Sequence, residues 1–140
     1  MGEGTGPVIF LSPPPAVLRY TIDGMCVPAQ MGVLLPGGGI ARKGTARVRS
    51  YKQRVAILTM LRVRQVRWTC GPEERISVTL RAFVEDARVI DVDNIAKAAL
   101  DAIKRVAFPD DRQVVDLHVF KRIDRERPRV EVTIERIKDQ

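Results

Sequence analysis

A chain of 140 residues with 45% apolar content suits one globular domain that buries its own core without staples. Its 24 lysines and arginines outweigh 17 acidic residues for a net charge of +7, while aromatics reach only 5%, too few for an aromatic ligand cage or a base-stacking platform. Two isolated cysteines and a single histidine argue against a zinc site of the usual ligand spacing, and no apolar run approaches the roughly 20 residues that span a bilayer.

The N-terminus has no basic stretch leading into an apolar one, so no secretory signal is expected and the expected setting is the cytoplasm. Val8–Leu11 reads as a short edge strand stopped by Pro13, Pro14 and Pro15. Breakers recur from Arg19 to Ala46, and this segment, with residues 24–46 at its heart, reads as a long loop holding one short strand around Gly32–Leu35. Thr45 to about Arg62 fits a helix, with Val48, Tyr51, Val55 and Leu58 forming its apolar stripe. Arg64–Cys70 is ambiguous, and Gly71 and Pro72 break the chain. Ile76–Val84 alternates as a strand does.

Asp93–Val106 reads as a second helix, burying Ile95, Ala99, Ala102 and Val106, with Ile103 beside them; its alanines permit close packing on a sheet. Phe108–Asp111 is a turn. Gln113–Arg122 alternates again, with Val115, Leu117 and Val119 on one face. A charged break, Asp124–Pro128, leads to Arg129–Ile137, where Val130, Val132 and Ile134 point inward. The last two strands are expected to form an antiparallel hairpin. The sum is an α+β fold: a single small domain over residues 1–140, one mixed β-sheet with two helices packed on it.

Charge is unevenly spread. Between Gly24 and Pro72 there is no acidic residue, while Arg42, Lys43, Arg47, Arg49, Lys52, Arg54, Arg62, Arg64 and Arg67 all fall there. A basic lobe suggests a polyanion, because neutralised phosphates release counterions. Arg47, Lys52 and Arg54 lie off the apolar stripe of the first helix, and with Arg62, Arg64 and Arg67 they are the candidate DNA contacts. An ordinary solvated cationic surface is the alternative.

Carboxylates gather from Glu85 to Asp116. Asp91 and Asp93 stand two apart just before the second helix, so an extended backbone would point both to one side. Lys97 and Asp101 follow at i+4 and i+8 from Asp93, and Asp110 and Asp111 sit at the mouth of the next strand. Two or three convergent aspartates suit magnesium, a hard cation that keeps several waters and takes phosphate oxygens. Such a cation activates water and neutralises a scissile phosphate, and a nearby lysine stabilises developing negative charge. The bland alternatives stay open: Asp91 or Asp93 as a helix cap, Asp93 and Lys97 as a surface pair, Asp110 and Asp111 as turn residues.

DVDNIAKAALDAI followed by PDDRQVVDLHVFK resembles the signature of RusA-type Holliday junction resolvases over Asp91–Lys121. Arg49–Lys52 with Val55 resembles the opening of that family's first helix, and Pro13–Pro15 followed by Arg19 and Tyr20 its proline-rich turn, with Ala16 and Val17 in place of the usual Ser-Asn. The resemblance implies a homodimeric endodeoxyribonuclease that resolves four-way DNA junctions by paired cuts, in recombination and repair, with magnesium or manganese. It assigns metal binding and catalysis to Asp91, Asp93 and Asp111, and catalysis to Lys97. Asp111 is chosen over Asp110 because it stands two before Gln113. Asn94, Asp101, Asp110, Gln113 and Lys121 become supporting residues, and the cytoplasm is that of a bacterium or a phage-infected cell. Val106–Phe108 departs from the family's glycine-containing turn, which must here form without glycine. Nucleases for flaps or forks, and a non-catalytic basic DNA-binding protein, are the rival readings. Three other residues or clusters have plainer roles: His118 as a packed or surface residue, Gly37–Gly39 as something other than a phosphate loop, and Trp68 as core or dimer packing in preference to base stacking.

Overall fold

The computed structural model describes residues 13–28, 31–43, 46–88 and 90–138; Val8–Leu11 lies outside them. Strand β1 (Val17–Asp23) is followed by the hairpin of β2 (Met31–Leu34) and β3 (Ile40–Lys43), helix α1 (Ala46–Val66), strand β4 (Arg75–Val84), helix α2 (Val92–Ile103), a single 3-10 turn (Asp111–Gln113), and strands β5 (Val114–Ile123) and β6 (Arg129–Ile137). Four strands form one mixed sheet in the order β1-β6-β4-β5. Both helices pack on it, so the α+β architecture read from the sequence holds.

Strand β4 is the spine of the sheet. Its residues Ile76, Val78, Leu80, Ala82 and Val84 are each 0% exposed, which demands a neighbour on both sides and helices above. From α1 come Val48, Tyr51 and Val55, and from α2 Ile95, Ala98, Ala99 and Ile103. The alanines let α2 lie close to the sheet. Thr59 is the buried polar residue of α1. Its hydroxyl donates to the Val55 carbonyl at 2.7 Å and lies 2.6 Å from the Tyr20 hydroxyl, so neither group is left unsatisfied. Trp68 is also core: it is 3% exposed, and its indole N–H donates to the Ala107 carbonyl at 2.8 Å.

Three expectations need correction. The segment read as loop from Arg19 is partly ordered: β1 runs through Asp23, and the short strand near Gly32 is one arm of a hairpin. Gly37, Gly38 and Gly39 form its tip, with φ of 86°, 95° and 96°. The second helix stops at Ile103, three residues short of the expected end, because Ala107 and Phe108 turn back into the core at 3% and 2% exposure. The last two strands do not pair. Strand β5 runs parallel to β4 at the sheet edge, while β6 is antiparallel to β4 on its other side. Residues 124–128 therefore straddle the end of β4, where the Asp124 N–H donates to the Val84 carbonyl at 2.9 Å. The most apolar strand takes the centre, and a five-residue link is long enough to cross the roughly 10 Å between strands two places apart.

Candidate active site

Asp91 is the residue at which α2 begins. Its backbone is extended (φ −81°, ψ 152°), and its carboxylate makes no capping hydrogen bond. The capping alternative is therefore not the use of this side chain. Asp93 sits in the first helical turn, where the positive end of the helix favours an acidic residue. Lys97 follows one turn later. All three are exposed, and among the described residues none has a side-chain hydrogen bond or ion pair, so Asp93 and Lys97 do not form a surface pair. Asn94 is half-buried beside them.

The other carboxylates are heavily engaged. Asp110 accepts from the Arg112 backbone N–H at 2.8 Å and from its guanidinium at 3.0 Å. Those bonds hold the Asp110 carboxyl at about 2, well below the usual carboxylate range. Gln113, 6% exposed, completes a capping box: its side-chain oxygen accepts from the Asp110 N–H at 2.9 Å. Its amide donates to the carbonyls of Gly71 at 2.7 Å and Glu74 at 2.8 Å. The turn carrying Asp111 is thereby clamped to the residues before β4. Asp111 itself pairs with Lys104 at 3.2 Å. Lys104 carries no motif signal; it is a cation just past the last turn of a helix, and only the following turn brings Asp111 to it.

Asp111 thus stands at the C-terminal end of α2 and Asp91 and Asp93 at its N-terminal end. The twelve residues between them span about 18 Å. The sheet gives the same answer, because Val114 pairs with Ile76 at the start of β4, while Lys121, near the far end of β5, reaches the Ile90 carbonyl at 3.0 Å. Among the described residues no three acidic, histidine or cysteine side chains gather as a metal cage. Asp91 and Asp93 by themselves do suit a hard cation, which binds through one or two carboxylates and fills its other positions with water and phosphate. Both are exposed and have no competing partner among the described residues, so the donor set fits magnesium or manganese.

The candidate DNA contacts divide in the same way. Lys52 is half-buried and paired with Asp101 at 3.2 Å. The Arg54 guanidinium donates to the Asp23 carbonyl. Arg62 donates to the Arg19 carbonyl and the Gln65 side chain, both at 2.9 Å. Arg47, Arg64 and Arg67 are exposed and have no ion pair among the described residues. His118 lies exposed on β5 opposite Thr79. Cys26 and Cys70 are both free, and burial pushes their thiols up, away from thiolate chemistry.

These features belong to a two-layer α+β domain with a carboxylate-rich helix entrance and a basic first half. The family model described as endodeoxyribonuclease RusA matches residues 39–135, and the chain belongs to that family of Holliday junction resolvases. It is an enzyme that hydrolyses phosphodiester bonds within DNA strands, which sets aside the reading as a non-catalytic binder. No curated protein matches it. Among the described residues no helix is long and apolar enough to cross a membrane.

Proposed function

We propose that this endonuclease resolves four-way DNA junctions as a magnesium-dependent homodimer. The observation that carries the reading is the pair of exposed carboxylates, Asp91 and Asp93, without a partner among the described residues, at the start of α2 in a chain of this family. Asp91 and Asp93 would hold the cation, and Lys97, one turn on, would donate to an oxygen of the scissile phosphate as negative charge develops. When bound, magnesium neutralises phosphate charge and makes an attacking water more acidic. Arg47, Arg64 and Arg67 are the contacts best placed to grip backbone phosphates. Changing all three to glutamine should weaken binding to every DNA shape and flatten its salt dependence by about 0.9 per lost contact.

The separation of Asp111 from Asp91 supports the dimer. Strand β5 has a neighbour on one side only, and its exposed residues include Val115, Leu117 and Ile123, at 49%, 44% and 56%. A second copy pairing antiparallel along that edge would set the Val114 end of one strand against the Ile123 end of the other. Asp111 of each copy would then approach Asp91 and Asp93 of the other, giving two equivalent sites related by the two-fold axis of a junction.

The test uses labelled four-way, three-way and linear duplex DNA, with and without magnesium. Cleavage should be confined to the four-way substrate with metal. Equal cleavage of forks or three-way DNA would replace junction resolution with a broader branched-DNA activity. Mixing Asp91→Asn with Asp111→Asn protein tests the shared site. Heterodimers regain one intact site, so roughly a quarter of wild-type nicking sites should return. No recovery on mixing would place all the ligands in one chain.

A further inference from the structure

The Asp91 carboxylate has no partner among the described residues and its backbone is extended, so something else must fix where it points. Its own side chain makes no bond to a described residue that would do so. The described residues before it are held at few points. The Ile90 side chain is buried at 3% exposure, the Arg125 guanidinium donates to the Glu85 carbonyl at 3.3 Å, and Asp86 pairs with Arg88 within the loop itself. The strongest tether comes from β5. The Lys121 ammonium donates to the Ala87 carbonyl at 2.5 Å and the Ile90 carbonyl at 3.0 Å.

Lys121 is a half-buried lysine beside Ala82, and among the described residues it has no carboxylate partner. A solvated lysine gains little by ordering its long stem on two carbonyls, since this gives up rotamer freedom. Here the residue is half-buried, and two loop carbonyls converge on its head. The Ile90 carbonyl belongs to the peptide that leads directly into Asp91, so any rotation of that peptide swings the Asp91 side chain. We infer that Lys121 is a positioning residue: it locks the peptide before α2 so that Asp91 is presented in one orientation to a divalent cation. The inference rests on Asp91 being a cation ligand.

Two effects of Lys121 on a cation oppose each other. As a positive charge it would repel the ion, so its removal would tighten binding. As a positioning group it restricts Asp91, so its removal would weaken binding. The two therefore predict opposite signs. Lys121→Met keeps the stem and removes the charge and both hydrogen bonds. Mn2+ binding to the protein alone, followed by electron paramagnetic resonance, should weaken about tenfold in Lys121→Met. Junction cleavage should lose kcat with little change in KM, and Lys121→Arg should recover most of both. Unchanged or tighter Mn2+ binding in Lys121→Met, or native kcat, would overturn the proposal. Should circular dichroism find Lys121→Met unfolded, Lys121→Gln, which keeps a polar head but cannot span to both carbonyls, is read by the same criteria. Wild-type protein in the same titration separates the two ideas: if Asp91→Asn binds Mn2+ as wild type does, the ligand reading fails before Lys121 is judged.

Discussion

The two ends of α2 carry the same residue type in opposite states. At the C-terminal end, Asp110 and Asp111 are bonded to Arg112 and Lys104, and Gln113 ties their turn to Gly71 and Glu74. At the N-terminal end, the side chains of Asp91 and Asp93 are bonded to nothing among the described residues. An aspartate that accepts several hydrogen bonds, as Asp110 does, is spent on structure, whereas Asp111 has a single ion pair, to Lys104. One left without a partner among the described residues at a helix start is available to a ligand. The fold thus builds one end of the helix as a rigid turn and leaves the other as an open carboxylate pair.

That contrast can be broken by substitution, and the largest effect is expected at the open end. Asp91→Asn should lower kcat on the order of 10³-fold, the scale on which loss of one transition-state stabiliser registers. Metal-free junction binding should hold or tighten as one negative charge is removed. Melting temperature should barely move, because the side chain holds nothing in place. Single-turnover cleavage and calorimetry check both, and a stability loss with native kcat would make Asp91 a structural residue.

At the closed end the order reverses. Gln113→Leu leaves the carbonyls of Gly71 and Glu74 without their donor and opens the capping box. About 2 kcal/mol should be lost, or roughly 7 °C in melting temperature for a domain of this size. Cleavage should fall less than in Asp91→Asn, since Asp111 is loosened and not removed. A melting temperature within a degree of wild type would mean that the turn is held by packing alone.

The smallest effect is also at that end. Arg105 adopts φ of 69°, the left-handed region that disfavours a side chain, and its N–H donates to the Phe108 carbonyl at 2.6 Å. This is how the turn after α2 forms without glycine: an arginine takes the strained position. Its side chain is exposed and makes no ion pair among the described residues. Arg105→Gly should relieve about 1–2 kcal/mol of steric cost and lose part of that to unfolded-chain entropy. A net gain of roughly 2–3 °C by thermal melt is expected. A loss would show that the stem of Arg105 packs usefully on the turn.

Local signals carried much of this protein. Alternation marked β4 and β6, and the 3.6-residue stripe of Val48, Tyr51 and Val55 marked α1. The spacing of Asp91, Asp93 and Lys97 marked a helix start that carries the candidate site, because those residues lie within seven positions of one another and their relation is set by local backbone geometry. Other features depend on residues far apart in the chain. Which strand sits between which was illegible: β5 and β6 are adjacent in sequence and both alternate, yet β4, whose inward residues are wholly buried, takes the place between them. Cation patterns were equally ambiguous. Only the packed helices reveal that Lys52 is spent on Asp101 and Arg54 on a backbone carbonyl, whereas Arg47 stays open. The position of Asp111, about 18 Å along α2 from its sequence neighbours in the motif, follows from the parallel pairing of β4 and β5, which forces the helix to run the length of the sheet before the next strand can start.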